Sequence, residues 1–247
     1  MSVRTDGVAV VTGGASGIGR ATAIGLARAG VGTVAIVSRS AEAADETIEE
    51  IRRAGAVGAA IAADLADPEQ ARAAIARVTE ELGDIAYLVN SAATTRAIPF
   101  ADLDAVDARD WQDMLALNTI APFALVTAAS YSLRRSRGAV VNIATASAER
   151  GTGTSIPYSV SKAALVQLTR CLAVALAPEV RVNTVSPGAV RSDWMPRVLG
   201  ADAAAAQHER ERERIPLHRI AEPEDIAEVV VATRSEERRV GKECRSR

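Results

Sequence analysis

The chain has 247 residues, of which 48% are hydrophobic and 24% charged, with a formal net charge of −2. That length supports one sizeable core, and the composition is that of an ordinary globular domain. A near-neutral charge and 3% aromatic residues offer neither a basic patch nor a stacking platform for nucleic acid. No unbroken apolar run reaches the length of a membrane span, and the start Met1-Ser2-Val3-Arg4-Thr5-Asp6 lacks the apolar centre of a signal peptide. The expected location is the cytoplasm, with no membrane partner. The two cysteines, Cys171 and Cys244, make neither a disulfide framework nor a metal cluster. Cys171 falls in an apolar helical stretch, where a buried thiol is expected.

Val8 to Thr12 is a short apolar run. It leads directly into Gly13-Gly14-Ala15-Ser16-Gly17-Ile18-Gly19 and then into a helical pattern from Arg20 to Ala29. Strand, glycine-rich turn and helix in this order permit close approach of backbone to a ligand. The free N–H groups of the following helix suit a pyrophosphate. Thr33 to Ser38 reads as a second, fully apolar strand covered on both faces. It ends in Ser38-Arg39 with no carboxylate. A dinucleotide site needs an acid here for an unmodified ribose, or a cation for a 2′-phosphate, so the charge favours NADP over NAD.

A helix over about Glu42 to Ala54 precedes a strand near Val57 to Ala63 that ends at Asp64. Asp67-Pro68 caps the next helix, about Glu69 to Leu82. Ile85 to Val89 is a fourth strand, followed by Asn90-Ser91-Ala92-Ala93. This alternation predicts a doubly wound parallel sheet wrapped by helices, an α/β fold of three layers. Ligands in such sheets bind beyond the carboxyl ends of the strands, where Gly13, Ser38, Asp64 and Asn90 all fall.

After a loop from Thr94 to Asp107, Ala108 to Leu133 reads as one long helix. It carries Asn118 and then Pro122, which implies a kink or break. Asn118 reads either as a helix-face polar residue or as one at a distorted turn. Gly138 to Ile143 is a fifth strand, ending at Ala144-Thr145. A loop, Arg150 to Pro157, leads into a helix running to about Ala177. Arg181 to Val185 is a sixth strand, followed by Ser186-Pro187-Gly188. At the head of the long helix stand Tyr158 and Lys162, one turn apart on one face. A lysine charge beside a phenol lowers the phenol's pKa toward the range useful for acid–base work.

Thr12-Gly-x-x-x-Gly-x-Gly19, Asn118, Tyr158-x-x-x-Lys162 and Pro187-Gly188, in this order and spacing, resemble the short-chain dehydrogenase/reductases. The resemblance spans about Val3 to Ala232, and is greatest to the 3-oxoacyl-acyl-carrier-protein reductases and related ketone reductases. It implies that Tyr158 is the general acid for carbonyl reduction, or the base for alcohol oxidation. Lys162 would hold the nicotinamide ribose, and Asn118 would position a relay water. The family's catalytic serine falls on Thr145, with Ser147 as an alternative donor. For the cofactor, the resemblance assigns Gly13, Ala15, Ser16, Gly17, Ile18 and Gly19 to the pyrophosphate, and Asp64 and Leu65 to the adenine. Asn90 and Ala92 fall to the adenosine ribose, and Pro187, Gly188, Val190 and Ser192 to the nicotinamide. Ser38 and Arg39 match the NADP-type ending of the second strand. Ala93 stands where the family has glycine.

Asp193 to Arg214 matches the family's variable substrate lid, within which Gln207 to Arg214 reads as a solvated helix of alternating charge. His208 and His218 show no metal spacing, so no metal is expected. Pro223 begins a helix with an apolar run to Ala232. The segment 234–247 has six basic and three acidic residues, with Val240 its only aliphatic one. It resembles translated sequencing adapter and is read as a non-native tail, placing the domain at 1–233 without the family's last strand. The sequence therefore predicts an oxidoreductase passing hydride between NADP(H) and a ketone or secondary alcohol, with a 3-oxoacyl thioester as one candidate substrate. The alternatives are a non-catalytic NADP-binding protein and a non-folding fragment. The resemblance also implies a homodimer or homotetramer acting on a small-molecule substrate.

Overall fold

A computed structural model describes residues 7–233. Its centre is a six-stranded parallel sheet in the order β3-β2-β1-β4-β5-β6. The strands are β1 (Val8–Thr12), β2 (Thr33–Ser38), β3 (Val57–Ala62), β4 (Ile85–Asn90), β5 (Ala139–Ile143) and β6 (Arg181–Val185). The order reverses between β1 and β4, so a crevice opens at their carboxyl ends. Residues of β1 and β5 are buried throughout, as parallel strands covered on both faces must be. The segment 234–247, and with it the expectation about the tail and the missing strand, lies outside the described residues.

On one face the sheet is covered by α1 (Gly17–Arg28), α2 (Asp45–Arg53) and α10 (Pro223–Ala232). Their core joins Ala23, Leu26, Ile48, Ile51 and Val230 to Val11, Ile36 and Val141 of the strands. On the other face lie α3 (Pro68–Leu82), α5 (Ala121–Ser136) and α7 (Ile156–Leu176). Their core joins Ile75, Val78, Leu125, Leu133, Leu172 and Leu176 to Val10, Leu88 and Val140. The predicted α/β architecture is the observed one. The cap at Asp67 is also observed: its side chain accepts from the Glu69 N–H at 2.9 Å, with Pro68 in the first turn. The expected helix at 42–54 begins instead as a 3₁₀ turn, Glu42–Ala44, before α2.

Ala108 to Ser136 and α7 are long and apolar enough to cross a membrane by length and composition. Here the apolar faces of α5 and α7 pack on the sheet. The stretch expected as one helix from Ala108 to Leu133 is divided. It comprises α4 (Ala108–Leu115), a π-helical turn (Ala116–Ile120) and α5, with Pro122 in the first turn of α5. Proline removes an N–H from the ladder, and the wider π turn accommodates the loss. Cys171 is exposed, not buried. On α7 it shares the outward stripe of Val160, Gln167 and Val174, while Leu165, Thr169, Leu172 and Leu176 face inward. Helical phase, which a mean hydropathy conceals, decides its side. A short helix, α6 (Ser147–Arg150), occupies the start of the loop before α7. Beyond β6 lie α8 (Trp194–Leu199) and α9 (Ala201–Arg214), the latter containing the predicted solvated stretch.

Candidate active site and cofactor cleft

The crevice at the switch point is lined by backbone. Strand register sets Thr12 of β1 opposite Asn90 of β4, and Asn90 opposite Asn142 of β5. Thr12 Oγ1 accepts from the Ser91 and Ala92 N–H groups at 3.0 and 3.1 Å, tying the segment after β4 to the end of β1. Gly13 has φ +66°, and a Cβ there would lie 3.0 Å from both Cα and N of Ala92. Gly17 has φ +53°. These are left-handed values that favour glycine. Ala15 and Ile18 turn inward against the core under α1. Gly19 admits no side chain at all, because a Cβ would meet the Gly13 carbonyl oxygen at 2.3 Å. Gly19→Ala must therefore move the turn itself. We expect a loss of about 1–3 kcal/mol in urea denaturation. An unchanged midpoint would show that the turn yields without cost.

The outer residues of the cleft follow the strands. Ser38 donates its hydroxyl to the Ser40 carbonyl at 2.6 Å. Arg39 is exposed, and its guanidinium has no hydrogen bond or ion pair among the described residues. Asp64 is exposed and accepts from the Ala66 N–H at 3.0 Å, while Leu65 is buried in the core. Asn90 is 3% exposed. Its Nδ2 donates to Asn142 Oδ1 at 2.7 Å, and Asn142 Nδ2 donates to Thr169 Oγ1 at 2.8 Å. Among the described residues, Asn90 Oδ1 is left without a partner. A buried acceptor left over is costly, and at the mouth of this crevice it matches a ligand hydroxyl. Positive-φ glycines at the switch point and an orphaned buried acceptor together fit a dinucleotide.

The catalytic candidates gather around the start of α7. Ser155 caps that helix, accepting from the Tyr158 N–H at 3.4 Å. Lys162 is 2% exposed, and its Nζ donates to the Ile143 carbonyl at 2.7 Å. This bond anchors the ammonium at the end of β5, two residues before Thr145, and leaves two of its three N–H donors for another partner. Asn118 lies in the π turn with 0% exposure. Its Oδ1 accepts from the Thr94 N–H at 2.9 Å, and its Nδ2 donates to Thr94 O and Ser161 Oγ, each at 3.0 Å. Ser161 in turn donates to the Tyr158 carbonyl at 2.8 Å. Asn118 is thus at a distorted turn and is fully engaged by the loop after β4 and by α7. Ser161 and Asn142 are supporting residues that no spacing in the sequence marks.

Thr145 and Ser147 separate by their partners. Thr145 Oγ1 accepts from the Ser147 N–H at 3.3 Å, so its own hydroxyl proton is free to be donated. A Cβ on Gly153 would touch Ser147 Oγ at 3.3 Å, placing Ser147 under the loop before α7. The Thr145 loop is tied to the segment after β6: Ala144 N–H donates to Val185 O at 2.8 Å and Ala146 N–H to Pro187 O at 2.9 Å. Pro187 is buried, Gly188 is exposed, and Val190 pairs with Ala221. Ser192 Oγ accepts from the Trp194 N–H at 3.3 Å, and a Cβ on Gly17 would lie 3.6 Å from Ser192 Cβ. Among the described residues no three of the His, Cys, Asp and Glu side chains are placed to hold a metal ion.

Burial pushes the Tyr158 phenol up to about 12 and the Lys162 ammonium down to about 8. The expected lowering of Tyr158 by Lys162 is not what the protein's own side chains produce. Loss of water from each group is the cause of its shift.

A family profile described as short chain dehydrogenase matches residues 7–201. Over 225 residues the chain is 38% identical to a protein named as a ketoacyl reductase of the granaticin polyketide synthase in Streptomyces violaceoruber, covering 91% of this chain and 88% of that one. A 3-oxoacyl-[acyl-carrier-protein] reductase of Aquifex aeolicus is 35% identical over 241 residues, or 96% of this chain and 93% of its own length. The crystal structure of L-sorbose reductase from Gluconobacter frateurii, complexed with NADPH and L-sorbose, aligns with a TM-score of 0.83 at 28% identity. That alignment covers 93% of this chain and 90% of that one. The fold is a doubly wound parallel α/β sheet of the kind these relatives share. The chain belongs to the short-chain dehydrogenase/reductase family of oxidoreductases.

Proposed function

We propose that the chain is an NADP(H)-dependent oxidoreductase that reduces a ketone, or oxidises the corresponding secondary alcohol. A 3-oxoacyl thioester is the first substrate to try, since two of the relatives above are named for that chemistry. The observation that carries the reading is the buried Lys162, held by Ile143 at the head of the same helix that presents Tyr158. A desolvated ammonium with spare donors is expensive for a mere binding protein and useful beside an acid–base phenol.

When bound, the nicotinamide supplies or accepts hydride at the substrate carbon. The protein's own groups handle the oxygen and its proton. Thr145 donates its free hydroxyl hydrogen to the carbonyl oxygen, polarising it. Tyr158 keeps its proton at neutral pH and passes it to the same oxygen as negative charge develops there. Lys162 is the proton reserve behind Tyr158, and its spare N–H donors suit the hydroxyls of a ribose. Asn118 fixes the turn that positions the Thr94 carbonyl and Ser161 around them. The glycine turn receives the pyrophosphate, and Arg39 faces the 2′-phosphate. The reading places the enzyme in the cytoplasm. The exposed apolar side chains Ile120 in the π turn, Phe123 and Tyr131 on α5 and Val160 and Val174 on α7 support a homodimer or homotetramer.

A pH profile follows from the pair. Below about pH 8 both Tyr158 and Lys162 carry their protons, and above it the lysine is neutral. Reduction needs the reserve full, so kcat/KM for a ketone should be level below about pH 8 and fall above it. Alcohol oxidation needs the reserve empty and should rise toward the same pH. The inflection belongs to the pair, not to one residue. Lys162→Met should erase it, and an inflection that survives in that variant would assign the titration elsewhere. The overall test is a spectrophotometric screen of ketones and 3-oxoacyl thioesters with NADPH. Cofactor binding without turnover across that screen would leave only a binding protein.

A further inference from the structure

Arg197 stands on α8, in the segment assigned to the lid, yet its guanidinium touches the glycine turn. Its Nη2 donates to Ser16 Oγ at 3.2 Å across 181 residues of sequence. Its Nε donates to the Asp193 carbonyl at 3.0 Å, fixing the guanidinium plane from within its own segment. A second contact lies beside it: a Cβ built on Gly17 would sit 3.6 Å from the Ser192 Cβ, which sets the start of this segment against the turn. Ser16 precedes α1 but gives no side-chain cap to it. Its hydroxyl is engaged by the lid instead. Arg197 has no carboxylate partner among the described residues, and these two bonds leave three of its five N–H donors unused.

We propose that Arg197 is a positioning residue for the dinucleotide, reaching from α8 onto the pyrophosphate and so fastening the lid when cofactor binds. The proposal rests on the reading that the glycine turn receives a dinucleotide. A guanidinium suits phosphate oxygens because its planar fork matches them and its charge is permanent. The contact is to the part that NADPH and NADH share. Arg197 should therefore affect both cofactors alike, in contrast to Arg39 at the 2′ position.

The test uses Arg197→Ala and Arg197→Lys in the full chain. Fluorescence titration gives the Kd of NADPH and of NADH. Cleavage by a glutamate-specific protease at Glu209, Glu211 and Glu213 of α9 reports on the lid with and without NADPH. Arg197→Ala should weaken both cofactors by about tenfold, the scale of one charge-assisted bond, and should abolish protection of α9 by NADPH. Arg197→Lys should recover part of each effect. Unchanged Kd values with protection retained would overturn the proposal, as would a loss confined to NADPH, which would move the contact to the 2′-phosphate. If the native chain binds neither dinucleotide, the cofactor reading itself falls and this proposal with it.

Discussion

Tyr158→Phe should lower kcat for ketone reduction by about 10²–10⁴-fold, the usual contribution of a positioned acid, while leaving the Kd for NADPH within about twofold. The two halves of this expectation have separate causes. The hydroxyl removed has no hydrogen-bond partner among the described residues, so the fold loses nothing that the oxygen was holding. Removing an unpartnered hydroxyl leaves no donor or acceptor newly unsatisfied, so the melting midpoint should not fall. The phenyl ring remains on α7, whose start is fixed by Ser155 and whose next turn is held by Asn118 and Ser161. Chemistry alone should suffer. Single-turnover kinetics and cofactor titration on the same preparation distinguish the outcomes. Equal loss of turnover and cofactor affinity would mean that Tyr158 is a wall of the cleft and not its acid.

The effect also depends on Lys162. Burial costs the ammonium its ordinary pKa, and the fold tolerates this where it could have placed an apolar side chain. Sign and range can be checked by stability alone. A lysine with a lowered folded pKa binds fewer protons folded than unfolded between about pH 8 and its usual value of about 10.5. Its contribution to stability therefore rises with pH through that window. Tyr158, raised from 10.0 to about 12, acts oppositely above pH 10, where the unfolded phenol ionises first. The pair's summed contribution should thus peak near pH 10.

The sheet, its order of elements and the glycine turn were legible in the sequence because each rests on local pattern. Val8–Thr12 followed by Gly13–Gly19 needs no distant contact to be read. Tyr158 and Lys162 were legible as a pair because helical spacing alone puts them on one face. What was not legible depends on tertiary contact. The division at Ala116–Ile120 is signalled only by Pro122. What Asn118 does there is set by Thr94 and Ser161, 24 and 43 residues away. Cys171 was misread because a helix that is apolar on average still has an outer face. The direction of the Tyr158 shift was misread for the same reason: sequence gives the neighbour but not the loss of solvent. The Arg197–Ser16 bond joins segments that no periodicity connects.

Arg39→Asp should reverse cofactor preference, weakening NADPH by about 10²-fold relative to NADH. The substitution replaces a cation with an anion at the end of β2, where Ser38 and Arg39 close the strand. Losing a charge-assisted bond to a 2′-phosphate costs about 1.5–3 kcal/mol. The introduced carboxylate repels that phosphate and can accept a hydrogen bond from the 2′-hydroxyl of NADH instead. Because Arg39 is exposed and holds no partner among the described residues, folding should not respond. Melting midpoints measured alone, with NADPH and with NADH report all three quantities, since a ligand that binds only the folded state raises the midpoint by mass action. The native chain should be shifted more by NADPH and the variant more by NADH. An unchanged preference would remove Arg39 from the 2′ position, and the buried Asn90 acceptor and glycine turn would then describe a cleft indifferent to that phosphate.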